Sequence, residues 1–336
     1  MSAPVLVLHH ADCRDHLPGP GHPESPDRLD AAVRGIDEAD LGDAITFVEP
    51  RRATLDELAL VHDANYAPAL RQFCERGGGR LDEDTVASPG SFSAASRAAG
   101  AALNAVERIE RGEGQHAFCA VRPPGHHATA RRPQGFCIFN NVAVCAAALA
   151  ERGERVLILD WDAHHGNGTQ DIFYADPRVL YVSLHQWPLY PGTGRLEDAG
   201  EGEGAGCTIN FPFPAGATGD VYQAALDEVI APAADEFGPS WLLVSCGFDS
   251  HRADALEGTN LALSAGDFGV LTRRCIDLAP PGRCVLVLEG GYDLAGLSAS
   301  AGACVAALAG AEYMPEPPTS GGGGWDVVQA VARLRA

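Results

Sequence analysis

Two carboxylates and two imidazoles follow directly on a short apolar run near the middle of the chain. The run, 156–159, has the length and composition of a buried parallel strand, and the segment after it reads Asp-Trp-Asp-Ala-His-His-Gly-Asn. Asp162 and His164 stand two residues apart, so in an extended chain both side chains lie on the same side. Burying such groups unpaired costs several kcal/mol each. The pattern therefore predicts metal ligands at the carboxyl end of a strand, where open α/β sheets place their binding sites.

Three further predicted strands also end in polar side chains. They lead into the histidine pair His126 and His127, into Asp249, and into Tyr292. Because two prolines and a glycine precede the histidine pair, we expect a rigid turn that presents both imidazoles side by side. The carboxyl ends of parallel strands meet at one edge of a sheet, so we expect all of these groups to converge on Asp162.

The converging groups would suit hydrolysis of an amide by a metal-activated water. Asp162, His164 and Asp249 would leave an open position on a four-coordinate Zn²⁺, and the same ligand types also suit Fe²⁺ or Co²⁺. A metal of this kind lowers the pKa of its bound water and polarises a carbonyl. The histidine pair would transfer protons, and Tyr292 would donate to the developing oxyanion.

Two polar residues near the ligand segment are candidates for orienting the histidine pair. They are Asp160, at the end of the strand, and Asn167, which follows the second histidine of the segment by two positions. An aspartate partner favours the charged imidazole, whereas an asparagine partner does not. We therefore expect the two histidines to differ in protonation.

Strand and helix patterns alternate along the chain and predict the scaffold for these groups. They indicate a single-domain α/β fold with a mainly parallel central sheet, helices on both faces and the active site at the carboxyl ends of the strands. The catalytic domain is predicted over 1–312, with a Pro/Gly-rich linker and a short helix over 313–336. Strands are predicted at 5–10, 117–121, 156–159, 179–185, 208–213, 241–246 and 284–292. Helices are predicted at 27–39, 91–110, 142–152, 220–237, 264–278 and 293–308, with two more in 54–73 separated by a break at Pro68.

Composition excludes several classes of function. The chain has 336 residues, of which 46% are hydrophobic, and no apolar run is long enough to span a membrane. A net charge of −21 argues against nucleic acid binding, and all 24 basic residues are arginines. Ten cysteines without a C-x-x-C pair and an N-terminus without secretion features predict a reducing, cytoplasmic location. Composition leaves the oligomeric state open.

Several motifs together resemble the zinc-dependent histone deacetylase superfamily, most closely its class II and bacterial deacetylase-like branch. They are RPPGHH, GFCIFNN, DWDAHHGNGT, YVSLH, PGTG, SCGFDSH and LEGGY, within a resemblance that extends from Val5 to Leu308. The resemblance implies an arginase/deacetylase-like fold and a zinc-dependent amidohydrolase. Its substrate would be an acylated lysine peptide or a small acylated amine, from which an acetyl or other short acyl group is removed.

The resemblance assigns the same ligand and catalytic roles residue by residue. It makes Asp162, His164 and Asp249 the zinc ligands. It pairs His126 with Asp160 and His127 with Asn167, and gives His127 the role of general base and acid. It also makes Tyr292 the oxyanion donor.

Further residues are implied for the substrate tunnel. Phe136 would form one wall, and the Gly135 carbonyl would accept a hydrogen bond from the substrate amide. The second wall, commonly phenylalanine in the family, is Tyr190 here. Asp84 resembles a rim residue that holds the substrate backbone, and Arg28 resembles an arginine that lines an internal acetate channel.

Family members also bind potassium beside the zinc. Here that site would use Asp160, Asp162 and His164 together with the Ser183 hydroxyl and the Leu184 carbonyl. A second potassium would lie near the residues Phe173, Asp176 and Val179.

Three alternative functions can be compared with this assignment through single sequence features. Polyamine-specific relatives carry a glutamate gatekeeper seven residues after the last ligand, where this chain has Leu256, with Glu257 next to it. Arginase-type ureohydrolases need a further aspartate for a second manganese, and here a His-Gly-Asn stretch, 165–167, stands in that place. An inactive acyl-ligand binding module would lack a ligand or Tyr292, and this chain has all of them.

Overall fold

Eight parallel strands form one continuous sheet in the part of the chain that the computed structural model describes, residues 3–254 and 256–335. The strand order is β2-β1-β5-β10-β9-β6-β7-β8, and β3 and β4 form a separate antiparallel pair. The strands are β1 (Val5–Leu8), β2 (Ile45–Val48), β3 (Gly79–Arg80), β4 (Val86–Ala87), β5 (His116–Cys119), β6 (Val156–Asp160), β7 (Val179–Gln186), β8 (Thr208–Phe213), β9 (Trp241–Cys246) and β10 (Cys284–Leu288).

Helices cover both faces of the sheet. In one group α10 packs on both α1 and α9, and in the other α4 packs on α5 and α5 on α6. The helices are α1 (Asp27–Glu38), α2 (Leu55–Leu58), α3 (Tyr66–Glu75), α4 (Ser91–Glu110), α5 (Asn141–Ala150), α6 (Asn167–Phe173), α7 (Gly219–Ala225), α8 (Ala231–Phe237), α9 (Ala265–Cys275), α10 (Leu294–Leu308) and α11 (Trp325–Arg335). This architecture confirms the fold class that the alternating pattern predicts.

The central strands are apolar on both sides, as a parallel sheet covered by helices requires. Every residue of β6, β9 and β10 is buried. In the sheet β9 lies between β6 and β10, and β10 also pairs with β5. The four strands that precede the candidate site residues are therefore direct neighbours, and their carboxyl ends open on one edge.

Most predicted elements are present, but the break at Pro68 is wrong, one predicted helix contains a π turn, and one edge strand was missed. The break in 54–73 lies before α3, and Pro68 sits in the first turn of that helix, where a missing N–H leaves no helical hydrogen bond unmade. The predicted helix at 220–237 is interrupted by a π turn, Leu226–Ile230. The edge strand β2 was not predicted, since it is half-exposed and its short sequence, Ile-Thr-Phe-Val, lacks a clear period.

The end of the chain folds back onto the sheet. Helix α11 packs against the edge strand β8 and against α7, with Val328 and Val331 buried. None of the helices in the described ranges is both long and apolar enough to cross a membrane. The ten cysteines, all within those ranges, are free thiols, and Cys207 alone among them is partly exposed.

Candidate active site

The three predicted ligands meet at the carboxyl edge of the sheet. Asp162 and His164 follow β6, Asp249 follows β9, and their ligand atoms all lie within 4.8 Å of one another. His164 Nδ1 is 2.9 Å from Asp249 Oδ2 and 3.2 Å from Asp162 Oδ1, and all three side chains are buried. Two buried carboxylates beside one imidazole form an oxygen and nitrogen donor set that suits a divalent cation such as Zn²⁺.

Backbone N–H groups fix both carboxylates in place. The N–H of Gly290 donates to Asp162 Oδ2 at 2.8 Å, and the N–H of Ala163 donates to Asp249 Oδ1 at 2.8 Å. A side chain at position 247 or 290 would overlap the carboxylate of Asp162, so glycine is required at both positions. The ligand set is therefore preorganised by the protein, which fits a bound metal ion.

The histidine pair lies beside the ligands and its two rings have different partners. His126 Nδ1 is 3.0 Å from Asp160 Oδ2, whereas His127 Nδ1 is 2.9 Å from Asn167 Oδ1. Burial opposes the charged form of His126, but the carboxylates of Asp162 and Asp160 raise its pKa to about 10. Burial and the neighbouring imidazoles hold the pKa of His127 well below its usual value. The rings thus differ in protonation in the direction that the sequence predicts.

The residues assigned to potassium lie on β6 and β7 or directly after β6. Asp160 and Ser183 are direct partners in the β6–β7 register, and Asp160 also accepts a hydrogen bond from the Tyr181 hydroxyl at 3.1 Å. The Ser183 hydroxyl bonds His185 Nδ1 at 2.9 Å, and the Leu184 carbonyl accepts from the Tyr222 hydroxyl at 3.4 Å.

The residues of the second potassium prediction form a turn between α6 and β7. The N–H of Asp176 donates to the Phe173 carbonyl at 3.0 Å, and Val179 begins the strand. The carboxylate of Asp176 is bound by Arg178, at 2.7 Å between Nη2 and Oδ2. An arginine already neutralises the acidic group of this turn.

A cavity of about 280 Å³ reaches the ligand His164. It is lined by Asp84, His127, Gly135, Phe136, His164, Tyr190, Leu256, Glu257 and Tyr292. Tyr190 packs edge-on against the His127 ring at 5.2 Å between centroids, and Phe136 packs edge-on against Tyr292 at 5.8 Å. The two predicted tunnel walls are therefore both at the cavity, and a catalytic candidate lies against each.

Asp84 lines the mouth of this cavity and also accepts a hydrogen bond from a residue of the cavity wall. Its Oδ1 accepts from the backbone N–H of Gly135 at 3.2 Å and from the Thr85 hydroxyl at 2.9 Å. Gly135 has a φ of +57°, and a side chain there would overlap the imidazole of His127. Asp84 thus holds the tight turn that brings Phe136 to the cavity.

Arg28 lies behind Tyr292 and does not line the cavity. Its guanidinium carbon is 4.9 Å from the centre of the Tyr292 ring, and its Nε donates to the Gly291 carbonyl at 2.6 Å. It is fully buried and pairs with Glu24 at 3.2 Å. Burial raises the pKa of the Tyr292 hydroxyl, so this group is protonated and can donate a hydrogen bond.

Comparison with known proteins agrees with this geometry. The family model described as the histone deacetylase domain matches residues 22–308. The chain belongs to the histone deacetylase family. The resemblance in the sequence is thereby confirmed, and family members are generally metal-dependent.

Individual relatives of this histone deacetylase family member align with most of its length. A probable deacetylase of Archaeoglobus fulgidus is 40% identical over 326 residues, covering 92% of this chain and 90% of the relative. Histone deacetylase 10, chloroplastic, of Oryza sativa subsp. japonica is 39% identical, covering 83% of this chain and 68% of the relative. The crystal structure of the HDA15 HD domain superposes with a TM-score of 0.90 at 33% identity, covering 100% of this chain and 95% of that one.

One buried residue of this family member escaped prediction from the sequence. The Glu289 carboxylate accepts from the backbone N–H groups of Gly125 at 2.6 Å and His126 at 3.1 Å, and from the Ser245 hydroxyl at 3.2 Å. Burial raises its pKa to about 7. Glu289 therefore holds the turn that carries the histidine pair, and an acidic residue directly after an apolar strand was the available signal.

We expect Glu289→Leu to lower kcat strongly and Glu289→Gln to lower it much less. Leucine leaves three buried donors without an acceptor, whereas glutamine keeps an oxygen for the two N–H groups. A displacement of about 1 Å in the histidine turn would cost roughly 10²-fold in rate. Steady-state kinetics of both variants checks this, and equal kcat values for the leucine variant and the unmodified protein would contradict it.

Proposed function

We propose that this protein is a zinc-dependent deacetylase, which hydrolyses acetyl or other short acyl amides of lysine side chains or related primary amines. The main support is one juxtaposition, in which His164 lines the same cavity as His127 and Tyr292, while its ligand atom lies within 4.8 Å of those of Asp162 and Asp249. Metal ligands, a proton acceptor and a hydroxyl donor on one small cavity are the groups that amide hydrolysis needs.

The metal would be held by the two carboxylates and the imidazole. We propose Zn²⁺, with Fe²⁺ or Co²⁺ as other ions that this donor set suits. Such an ion lowers the pKa of a bound water and polarises the acyl carbonyl. We also propose a K⁺ behind it, held by oxygens of Asp160, Ser183 and Leu184.

The side chains around the cavity have separate roles in the proposed reaction. Phe136 and Tyr190 pack against the apolar stem of the acylated amine, and the Gly135 carbonyl accepts a hydrogen bond from the substrate amide. His127, kept neutral by burial, accepts the proton of the attacking water and then gives it to the leaving amine. His126, kept charged by Asp162 and Asp160, stabilises the negative charge that develops.

Tyr292 completes the proposed reaction. Its hydroxyl donates to the oxyanion that forms from the acyl carbonyl. The Arg28 guanidinium behind the ring holds the tyrosine loop through the Gly291 carbonyl.

An acetylpolyamine is the second candidate substrate, and one observation favours it. Glu257 lines the cavity mouth together with Asp84, so two carboxylates face an entering substrate. A substrate with further amines would be attracted by them. Leu256 lines the same mouth and favours an uncharged peptide backbone next to the acylated lysine.

We expect a higher kcat/KM for an acetyl-lysine peptide than for N-acetylspermidine with the zinc-loaded protein. Glu257→Gln should lower kcat/KM for the acetylpolyamine several-fold and leave the peptide nearly unchanged, because one charge leaves the mouth. Glu228→Gln, at an exposed position on the π turn, is the matched control.

The outcomes separate the candidates. A reversed preference would assign the acetylpolyamine class and keep the proposed chemistry. Turnover of neither substrate, or activity that survives complete removal of metal by a chelator, would contradict the proposed function and leave a binding module.

A further inference from the structure

Asp254 takes no part in the reaction proposed above, yet its carboxylate joins two segments that do. Its Oδ2 accepts hydrogen bonds from the backbone N–H of Tyr292 at 2.5 Å and from that of Asp293 at 3.0 Å. Its Oδ1 accepts from the backbone N–H of Leu256 at 3.0 Å. Ala255, between the two residues, lies outside the described ranges.

Both segments line the cavity of the proposed substrate path. Tyr292 is the proposed hydroxyl donor at the reacting carbonyl, whereas Leu256 is half-buried and adjoins the exposed Glu257 at the cavity mouth. One carboxylate therefore holds both the group that acts on the acyl carbonyl and a group that meets the rest of the substrate.

The loop that carries Tyr292 needs such a support. It follows β10 through Gly290 and Gly291, and Gly291 has a φ of +114°, a conformation that side chains rarely adopt. The Gly290 N–H is bound by Asp162, and the next bonded N–H groups of the loop are bound by Asp254. Hydrogen bonds to an ionised carboxylate are roughly twice as strong as neutral ones.

We propose that Asp254 is a positioning residue that sets the Tyr292 hydroxyl and the Leu256 wall relative to each other. It thereby links the rate of the chemical step to the choice of substrate at the mouth. The inference rests on the proposed function, because Tyr292 must be the oxyanion donor for the link to affect catalysis.

The first test compares two variants at Asp254. Asp254→Ala removes all three acceptor contacts, and a displacement of Tyr292 by about 1 Å would lower kcat roughly 10²-fold, with metal content unchanged. Asp254→Asn keeps one oxygen for Tyr292 and Asp293 but turns an NH₂ group toward the Leu256 N–H. We therefore expect it to recover most of kcat while KM and the peptide-to-polyamine preference stay altered.

A double-mutant cycle with Tyr292→Phe gives the decisive readout. If Asp254 acts through the Tyr292 hydroxyl, Asp254→Ala lowers kcat far less in the phenylalanine background than in the original one. Losses that multiply would overturn the inference, because they would show an effect independent of that hydroxyl.

Asp220→Ala is the matched control for general destabilisation. Asp220 also accepts three hydrogen bonds, from Val221 N–H, Gly321 N–H and the Thr218 hydroxyl, but at the C-terminal linker. We expect this variant to keep its kcat, and an equal loss in both alanine variants would overturn the inference. An inactive unmodified protein would contradict the proposed function, whereas an active one with an unaffected Asp254→Ala variant contradicts this inference alone.

Discussion

Replacing Asp249 with alanine is expected to abolish both the activity and the stoichiometric binding of metal. The substitution leaves Asp162 and His164 as ligands, and two protein ligands do not hold a catalytic zinc ion as three do. It also removes the acceptor of the Ala163 N–H, a buried donor whose loss of partner costs about 1–3 kcal/mol. The result should be a folded but less stable protein without deacetylase activity.

The measurement is metal content after dialysis, together with kcat/KM on an acetyl-lysine peptide. Asp249→Asn is the informative companion, because its amide oxygen still accepts the Ala163 N–H while its ligand strength is lower. We expect it to be more stable than the alanine variant and still deficient in metal. One full equivalent of zinc in Asp249→Ala would rule out the ligand assignment.

Replacing Tyr292 with phenylalanine is expected to lower kcat by roughly 10²–10³-fold, the cost of removing one oxyanion donor. KM should change little, because the ring remains and keeps its contacts with Phe136 and the Arg28 guanidinium. Protein stability and metal content should also be preserved, since the hydroxyl is not among the ligands.

Tyr190→Phe is the matched control for this experiment, because it also removes one tyrosine hydroxyl from the wall of the cavity. Its ring packs against His127, and phenylalanine keeps that contact. We expect this variant to retain kcat, with any change confined to the preferred acyl group. Steady-state kinetics on acetyl and longer acyl peptides checks both variants, and near-full activity of Tyr292→Phe would refute its assigned role.

Much of the arrangement follows from the sequence because strand ends of a parallel sheet share one edge. Two such ends supply Asp162 and Asp249, so their proximity could be predicted without knowing the strand order. The histidine partners could also be named, because Asp160 and Asn167 lie in the same motif as the ligands. Functional residues that lie close together in short motifs can be identified from the sequence alone.

The supporting contacts could not be predicted in this way. Glu289 bonds His126 across 163 positions of sequence, and Asp254 bonds Tyr292 across 38. Each bond ends on a backbone N–H, which every residue except proline offers, so no pattern of residue types marks the partner. The edge strand β2 was missed for a related reason, because its pairing with β1 gives it its conformation.

The strand order has a consequence for the folding of the protein during its synthesis on the ribosome. Strands β9 and β10 lie between β5 and β6 in the sheet, yet they are synthesised after both. A nascent chain that ends before β9 therefore lacks the middle of its sheet and holds two separated groups of strands. Domains are generally completed as units during synthesis, but here the central hydrogen bonds must wait for the last two strands. The earlier strands leave the ribosome with unpaired edges, which are prone to aggregation until β10 is synthesised.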